Sequence, residues 1–138
     1  MRLKNRIGIL AVCGLIWAGS PAVLAQDTIA VPSGQPVTLL EVIQEDQGET
    51  GLTMRFRFVA PGIARKGGSI SFDQAEADMM YLCEVFALDW IDKSALQPQQ
   101  IIVSLSDQPI EFGEPDPEIT QFFEAFHRNG HTCEWEGL

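Results

Sequence analysis

The sequence predicts an α+β fold: an antiparallel sheet in ββαβββ order, with one main helix packed on one face and stapled to it by a disulfide. Three observations predict it. Leu52, Met54, Phe56 and Phe58 alternate with Thr53, Arg55 and Arg57, the period-two pattern of a half-buried strand. Ala75, Met79, Leu82, Cys83 and Phe86 recur at i, i+4, i+7, i+8 and i+11, an apolar stripe at helical period. Cys83 lies in that stripe, and Cys133 shares a strand face with Trp135, so both cysteines point inward if helix and last strand pack together.

The N-terminus reads as a targeting segment. Arg2, Lys4 and Arg6 precede an uncharged run from Ile7 to Ala18 that is too short to span a bilayer comfortably. Val23-Leu-Ala25 puts small residues where signal peptidase reads. Residues 1–25 are therefore expected to be a signal peptide, cleaved between Ala25 and Gln26. A competing reading is a lipoprotein acylated at Cys13 in Leu10-Ala-Val-Cys13; Val12 fits that box poorly, and apolar sequence continues past it. Residues 26–36 are expected to form an extended N-terminal arm, because Pro32 and Pro36 oppose regular structure, and residues 37–138 one α+β domain.

Within that domain Val37–Gln44 is β-rich and apolar and predicts the first strand. Residues 45–51 are a polar turn with two glycines, and 52–59 is the second strand of the hairpin. Residues 60–68 carry Pro61, Gly62, Gly67 and Gly68 and predict a loop with Arg65-Lys66 at its tip; Ile70 and Phe72 lead into the helix as a short bridge or hydrophobic staple. The helix is predicted over 73–88, with Asp73 as N-cap, Glu76 closing a capping box, and Glu76, Asp78 and Glu84 off the buried stripe. Residues 89–98 predict a loop from which Trp90 and Ile91 fold back onto the core. The dense apolar run in 100–106 predicts a central strand. Residues 107–118 hold three prolines and predict a loop. In 119–127 the spacing of Ile119, Phe122, Phe123 and Phe126 also fits a helix, but Asn129-Gly130 suits a type I′ turn. The reading adopted is strand–turn–strand, with Asn129-Gly130 as the two-residue loop and Phe126 opposite Cys133.

Charge and cysteines bound the function. All nineteen acidic residues lie beyond residue 25, while three of the nine basic ones leave with the leader, so the mature chain carries −13. No basic stripe is present, which argues against nucleic acid and against anionic membranes as partners. Losing Cys13 leaves two cysteines, and an even count in an exported chain reads as a disulfide. Closing a loop of about fifty residues is worth about 4 kcal/mol in the chain-entropy model.

Ala30-Val-Pro-Ser-Gly-Gln-Pro-Val37, Gly48-Glu-Thr-Gly-Leu-Thr53, Arg55-Phe-Arg-Phe-Val-Ala-Pro61, Leu82-Cys-Glu84, Thr120-Gln-Phe-Phe-Glu-Ala125 and Cys133-Glu-Trp135 together resemble a family of small exported alphaproteobacterial proteins defined as a domain of unknown function. The resemblance covers essentially the whole mature chain. It implies a Gram-negative periplasmic setting and supports reading Cys83 with Cys133. It implies no activity.

Motifs for chemistry are sparse. There is no G-x-S-x-G, and neither mature cysteine looks free to react. His127, His131 and Cys133 have a spacing that suggests zinc, but Cys133 is better used in the disulfide and strand parity separates the histidines. Glu111, Glu114, Asp116 and Glu118 form an acidic loop that could hold calcium weakly; it lacks the spacing and turn glycine of an EF-hand, and a solvated loop is the plainer reading. Arg55 and Arg57, side by side on one strand face, either grip a carboxylate or phosphate or pair across strands with Glu41 or Glu45. The expectation is a non-enzymatic periplasmic module that binds a protein partner or a small anionic ligand. No metal or cofactor is expected. The alternative is a small hydrolase or anionic-ligand-binding enzyme using Arg55 or Arg57 with nearby carboxylates.

Overall fold

A computed structural model describes Gly19 and residues 27–137. The signal-peptide and Ala25–Gln26 cleavage readings lie outside the described residues. The chain runs β1 (Thr38–Asp46), β2 (Leu52–Val59), a helical segment, β3 (Gln100–Ser106), β4 (Gln121–Asn129) and β5 (Thr132–Trp135), and the five strands lie in the spatial order β1-β2-β3-β4-β5. The helical segment is α1 (Phe72–Tyr81), a π-turn (Leu82–Ala87) and α2 (Leu88–Ser94).

The expected all-antiparallel sheet is corrected to a mixed one, because β2 and β3 pair in parallel. The helical segment between them is the crossover that parallel neighbours require, returning the chain to the end where β2 began. The other three pairings are antiparallel.

The helix starts earlier and ends later than the sequence suggests. Its N-cap is Ser71, not Asp73: the backbone N–H of Gln74 donates to Ser71 Oγ at 3.3 Å, and the N–H of Ser71 donates to Gln74 Oε1 at 3.0 Å. This is a reciprocal capping box built from Ser-x-x-Gln. Residues 89–94, expected as loop, continue the helix to a left-handed Ala95 at φ 59°. The π-turn adds one residue to the winding. A straight α-helix would carry the buried stripe through Phe86 to Trp90 and Lys93; with the extra residue, Ala87, Leu88 and Ile91 are buried instead.

Met54, Phe56 and Phe58 of β2, Ile101, Val103 and Leu105 of β3 and Phe126 of β4 face the helix and are buried with Ala75, Met79, Leu82 and Cys83. Trp90 meets the ring of Phe56 edge-on at 5.6 Å, and Phe86 meets that of Phe58 at 5.4 Å. Such edge-to-face pairs add about 1 kcal/mol beyond area burial. The Cys83–Cys133 disulfide joins the π-turn to β5 with the Cα atoms 6.2 Å apart. β5 has only four residues, and Cys133 is the one that is buried.

The β4–β5 turn is shifted by one residue from expectation. Asn129 pairs with Thr132, so Gly130-His131 is the loop and Phe126 lies opposite Trp135 rather than Cys133. Gly130 alone has positive φ, at 61°, which is the type II′ pattern and not the type I′ that Asn-Gly suggests. Because the shift preserves side-chain parity, Phe126 and Cys133 still point toward the helix.

The N-terminal arm is folded back and is not free. Ile29 bridges Val37, and Val31 and Val37 are buried. The anchor is Asp78, a fully buried carboxylate on α1 that accepts from Ser33 N at 2.9 Å, Ser33 Oγ at 2.5 Å and Gln35 Nε2 at 2.7 Å.

Candidate functional site

The helix covers one face of the sheet; the other is open except where the 107–120 segment crosses it. Side-chain alternation dictates what that outer face carries. Register lines up Glu41 of β1, Arg57 of β2, Ser104 of β3 and Phe123 of β4 in one row across four strands. The next row holds Ile43, Arg55, Ile102 and Ala125. Both arginines are thus brought to the middle of the outer face.

Each arginine finds a cross-strand carboxylate, as opposite charges on neighbouring strands tend to do. Arg57 is almost wholly buried; its Nη1 donates to Glu41 Oε1, and its Nη2 donates to the Ile110 carbonyl at 2.7 Å. Arg55 donates only Nε, to Glu45 Oε2 at 3.1 Å. Phe112, from the crossing segment, lies over both guanidiniums, 4.9 Å from Arg55 Cζ to the ring centre and 5.6 Å from Arg57 Cζ. This cation–π cap is held while Phe112 stays 50% exposed and Phe123 57% exposed. Both rings line a cleft of about 260 Å³, together with Arg55, Arg57, Ser104 and Glu114.

The remaining residues singled out in the sequence do not converge. Glu111, Glu114, Asp116 and Glu118 are exposed along the 107–120 segment, and among the described residues no three His, Cys, Asp or Glu side chains are placed to hold a metal ion. The four acids of the weak-calcium reading are strung along a loop that turns locally, with Glu118 N donating to Asp116 Oδ1 at 2.9 Å. The zinc spacing fails because Cys133 is spent in the disulfide, His127 pairs with Glu134 at 2.9 Å and His131 occupies the hairpin loop. Hydrogen bonds from Asn129 and then His127 hold the Glu134 carboxyl below its ordinary value. Arg128 does the same to Asp92, gripping it through Nη1 at 2.6 Å and tying β4 to α2. Arg65 spends Nη1 on the Pro117 carbonyl at 3.2 Å, while Lys66 sits at an exposed tip.

Two residues of consequence escaped the sequence reading. Phe112 is the lone aromatic in a Pro- and acid-rich loop, and that contrast is the signal it offered. Asp78 sits three residues after Ala75 and one before Met79, inside the buried stripe and not off it. A second cleft, of about 470 Å³, lies on the helix side beside Phe86, Trp90 and the Asp89–Lys93 ion pair.

No helix among the described residues is long and apolar enough to cross a membrane. No curated protein and no solved structure matches the chain. One family model does match, over residues 14–138, and so takes in β1 to β5, the disulfide and the arginine face together. The chain belongs to this family, the family of unknown function DUF6497.

Proposed function

We propose that this is a non-enzymatic binding module of the Gram-negative periplasm, and that its partner docks on the outer face of the sheet. The observation that carries the reading is the Arg55–Phe112 arrangement: a charged, aromatic-capped cleft in the middle of a face that the fold leaves open. Fold economy supports it, since the helix, the disulfide and the docked arm all serve the opposite face. The leader-like N-terminus and the disulfide support an oxidising compartment.

The hydrolase alternative is less well supported. It needs a carboxylate held in position beside an arginine: Glu41 and Glu45 are both engaged as salt-bridge partners, and Glu114, which also lines the cleft, is exposed and has no side-chain hydrogen bond among the described residues to orient it. Ser104, the hydroxyl at the cleft, makes no hydrogen bond to a histidine or carboxylate among the described residues, so it has no base to activate it.

The test is capture from a periplasmic extract of the native host by the immobilised chain, run beside Phe123→Asp on the outer face and Lys93→Glu on the helix face. Reproducible capture that Phe123→Asp abolishes and Lys93→Glu preserves is the expected result. Capture that ignores Phe123→Asp, or that Lys93→Glu abolishes, overturns the outer-face reading.

A further inference from the structure

We propose that the cleft beside Arg55 takes a single carboxylate carried on an aromatic or apolar body, an inference that rests on the outer-face reading and names its ligand class. The first ground is donor supply. Arg57 is almost wholly buried and has both Nη groups engaged, one on Glu41 and the other on the Ile110 carbonyl. Arg55 differs: beyond the Nε bond to Glu45, its two Nη groups have no hydrogen-bond partner among the described residues. The fork is also fixed in place, held at Nε by Glu45 and over its face by Phe112. Two parallel N–H donors on a rigid plane match the two oxygens of a carboxylate. Pre-setting that plane spares the ligand the cost of ordering a long side chain.

The second ground is charge. Arg55 and Arg57 stand against Glu41, Glu45 and Glu114, so the surroundings of the cleft are negative by one. A monoanion aimed at the Arg55 fork gains a charge-assisted pair of bonds. A phosphate or a dicarboxylate brings a second negative charge that the three glutamates repel.

The third ground is shape. Phe112 and Phe123 are exposed aromatics that both line the cleft, and they offer apolar surface to the body behind the carboxylate. At about 260 Å³ the cleft falls below the size of drug-sized pockets, so it suits one ring or one terminal residue and no more. A free aromatic acid and the C-terminal residue of a chain present this same chemistry.

Isothermal titration of the purified chain tests the inference with five probes: phenylacetate, phenylacetamide, inorganic phosphate, and acetyl-Gly-Phe with a free or an amidated terminus. The expected result is that phenylacetate binds saturably and that phenylacetamide and phosphate bind at least about tenfold more weakly, a ratio worth about 1.4 kcal/mol. Arg55→Gln lowers phenylacetate affinity by a similar factor, and Phe112→Leu lowers it severalfold. The amide comparison uses the unaltered protein, so misfolding of a variant cannot produce it. Tighter binding of the free-terminus peptide than of phenylacetate assigns the site to chain ends, and the reverse order to small acids. Equal binding of acid and amide, phosphate as tight as phenylacetate, or an Arg55→Gln variant that binds normally overturns the proposal. If no probe binds yet capture from extract still depends on Phe123, the ligand class is wrong and the outer-face reading stands.

Discussion

At the scale of single residues, two buried or half-buried carboxylates show how environment decides what an acid does. Asp78 is fully buried without a cation, and three donors from the N-terminal arm surround it. Asp78→Ala strands those donors, and the expected loss is about 3 kcal/mol in denaturant unfolding, with faster amide exchange through residues 29–37. Glu124 is the opposite case. Burial first, and the Glu76 carboxylate second, push its carboxyl above the ordinary value of 4.5. The native state then holds that proton more tightly than the unfolded chain does. Stability from this group is full below about pH 4.5 and is lost as pH rises through the higher native value. Glu124→Gln is therefore expected to stabilise the protein at pH 7. The gain should vanish near pH 4, and urea titrations at the two pH values check it. Strand parity put Arg55 and Arg57 on one face, and their glutamate partners were legible in the alternation of β1. Phe112 was not, because a loop residue's position depends on the path of the loop and not on any period.

At the scale of elements, the helix was legible in its centre and illegible at its ends. The stripe from Ala75 to Cys83 follows the α period, so its existence and buried face read directly. The π-turn then breaks the phase, and an extrapolated α-helix turns Lys93 inward; a helix stop is the natural inference from that pattern. If the π-turn is a one-residue insertion, deleting the exposed Val85 should leave Ala87, Leu88 and Ile91 in phase with Met79 and Leu82. That deletion is expected to give a cooperatively folded protein with its disulfide intact, as read by circular dichroism and by mass under alkylation. The N-terminus failed for a different reason: Asp73 and Ser71 are both good caps, and only Ser71 has the extended backbone of a cap, at φ −73° and ψ 166°. Ser71→Ala should cost about 1 kcal/mol by thermal or denaturant unfolding. The hairpin repeats the lesson. Asn-Gly announced a turn correctly, and the one-residue choice between type I′ and type II′ depended on where the β4–β5 pairing ended.

At the scale of the whole molecule, the sheet is a platform with two unlike faces. One is apolar, covered by the helix and sealed by the disulfide and the arm; the other is polar, partly apolar at Ile102 and Ala125, and carries the arginine cleft. The α+β class and the staple were legible because periodicity and cysteine count are global properties of the sequence. The parallel β2–β3 pairing was not, since hydrophobic pattern says which side of a strand is buried but not which strand lies beside it. Removing the staple with Cys83→Ala and Cys133→Ala should cost about 4 kcal/mol for a bridge spanning 50 residues, read from unfolding midpoints under non-reducing conditions. The division of labour between the faces is tested most directly by mapping backbone amide chemical shifts as phenylacetate is added to the chain. Shifts confined to Arg55, Arg57, Ser104, the loop around Phe112 and Phe123, with residues 89–94 unmoved, are the predicted result. Shifts clustered instead at Phe86, Trp90 and Lys93 would place the binding on the helix face and contradict it.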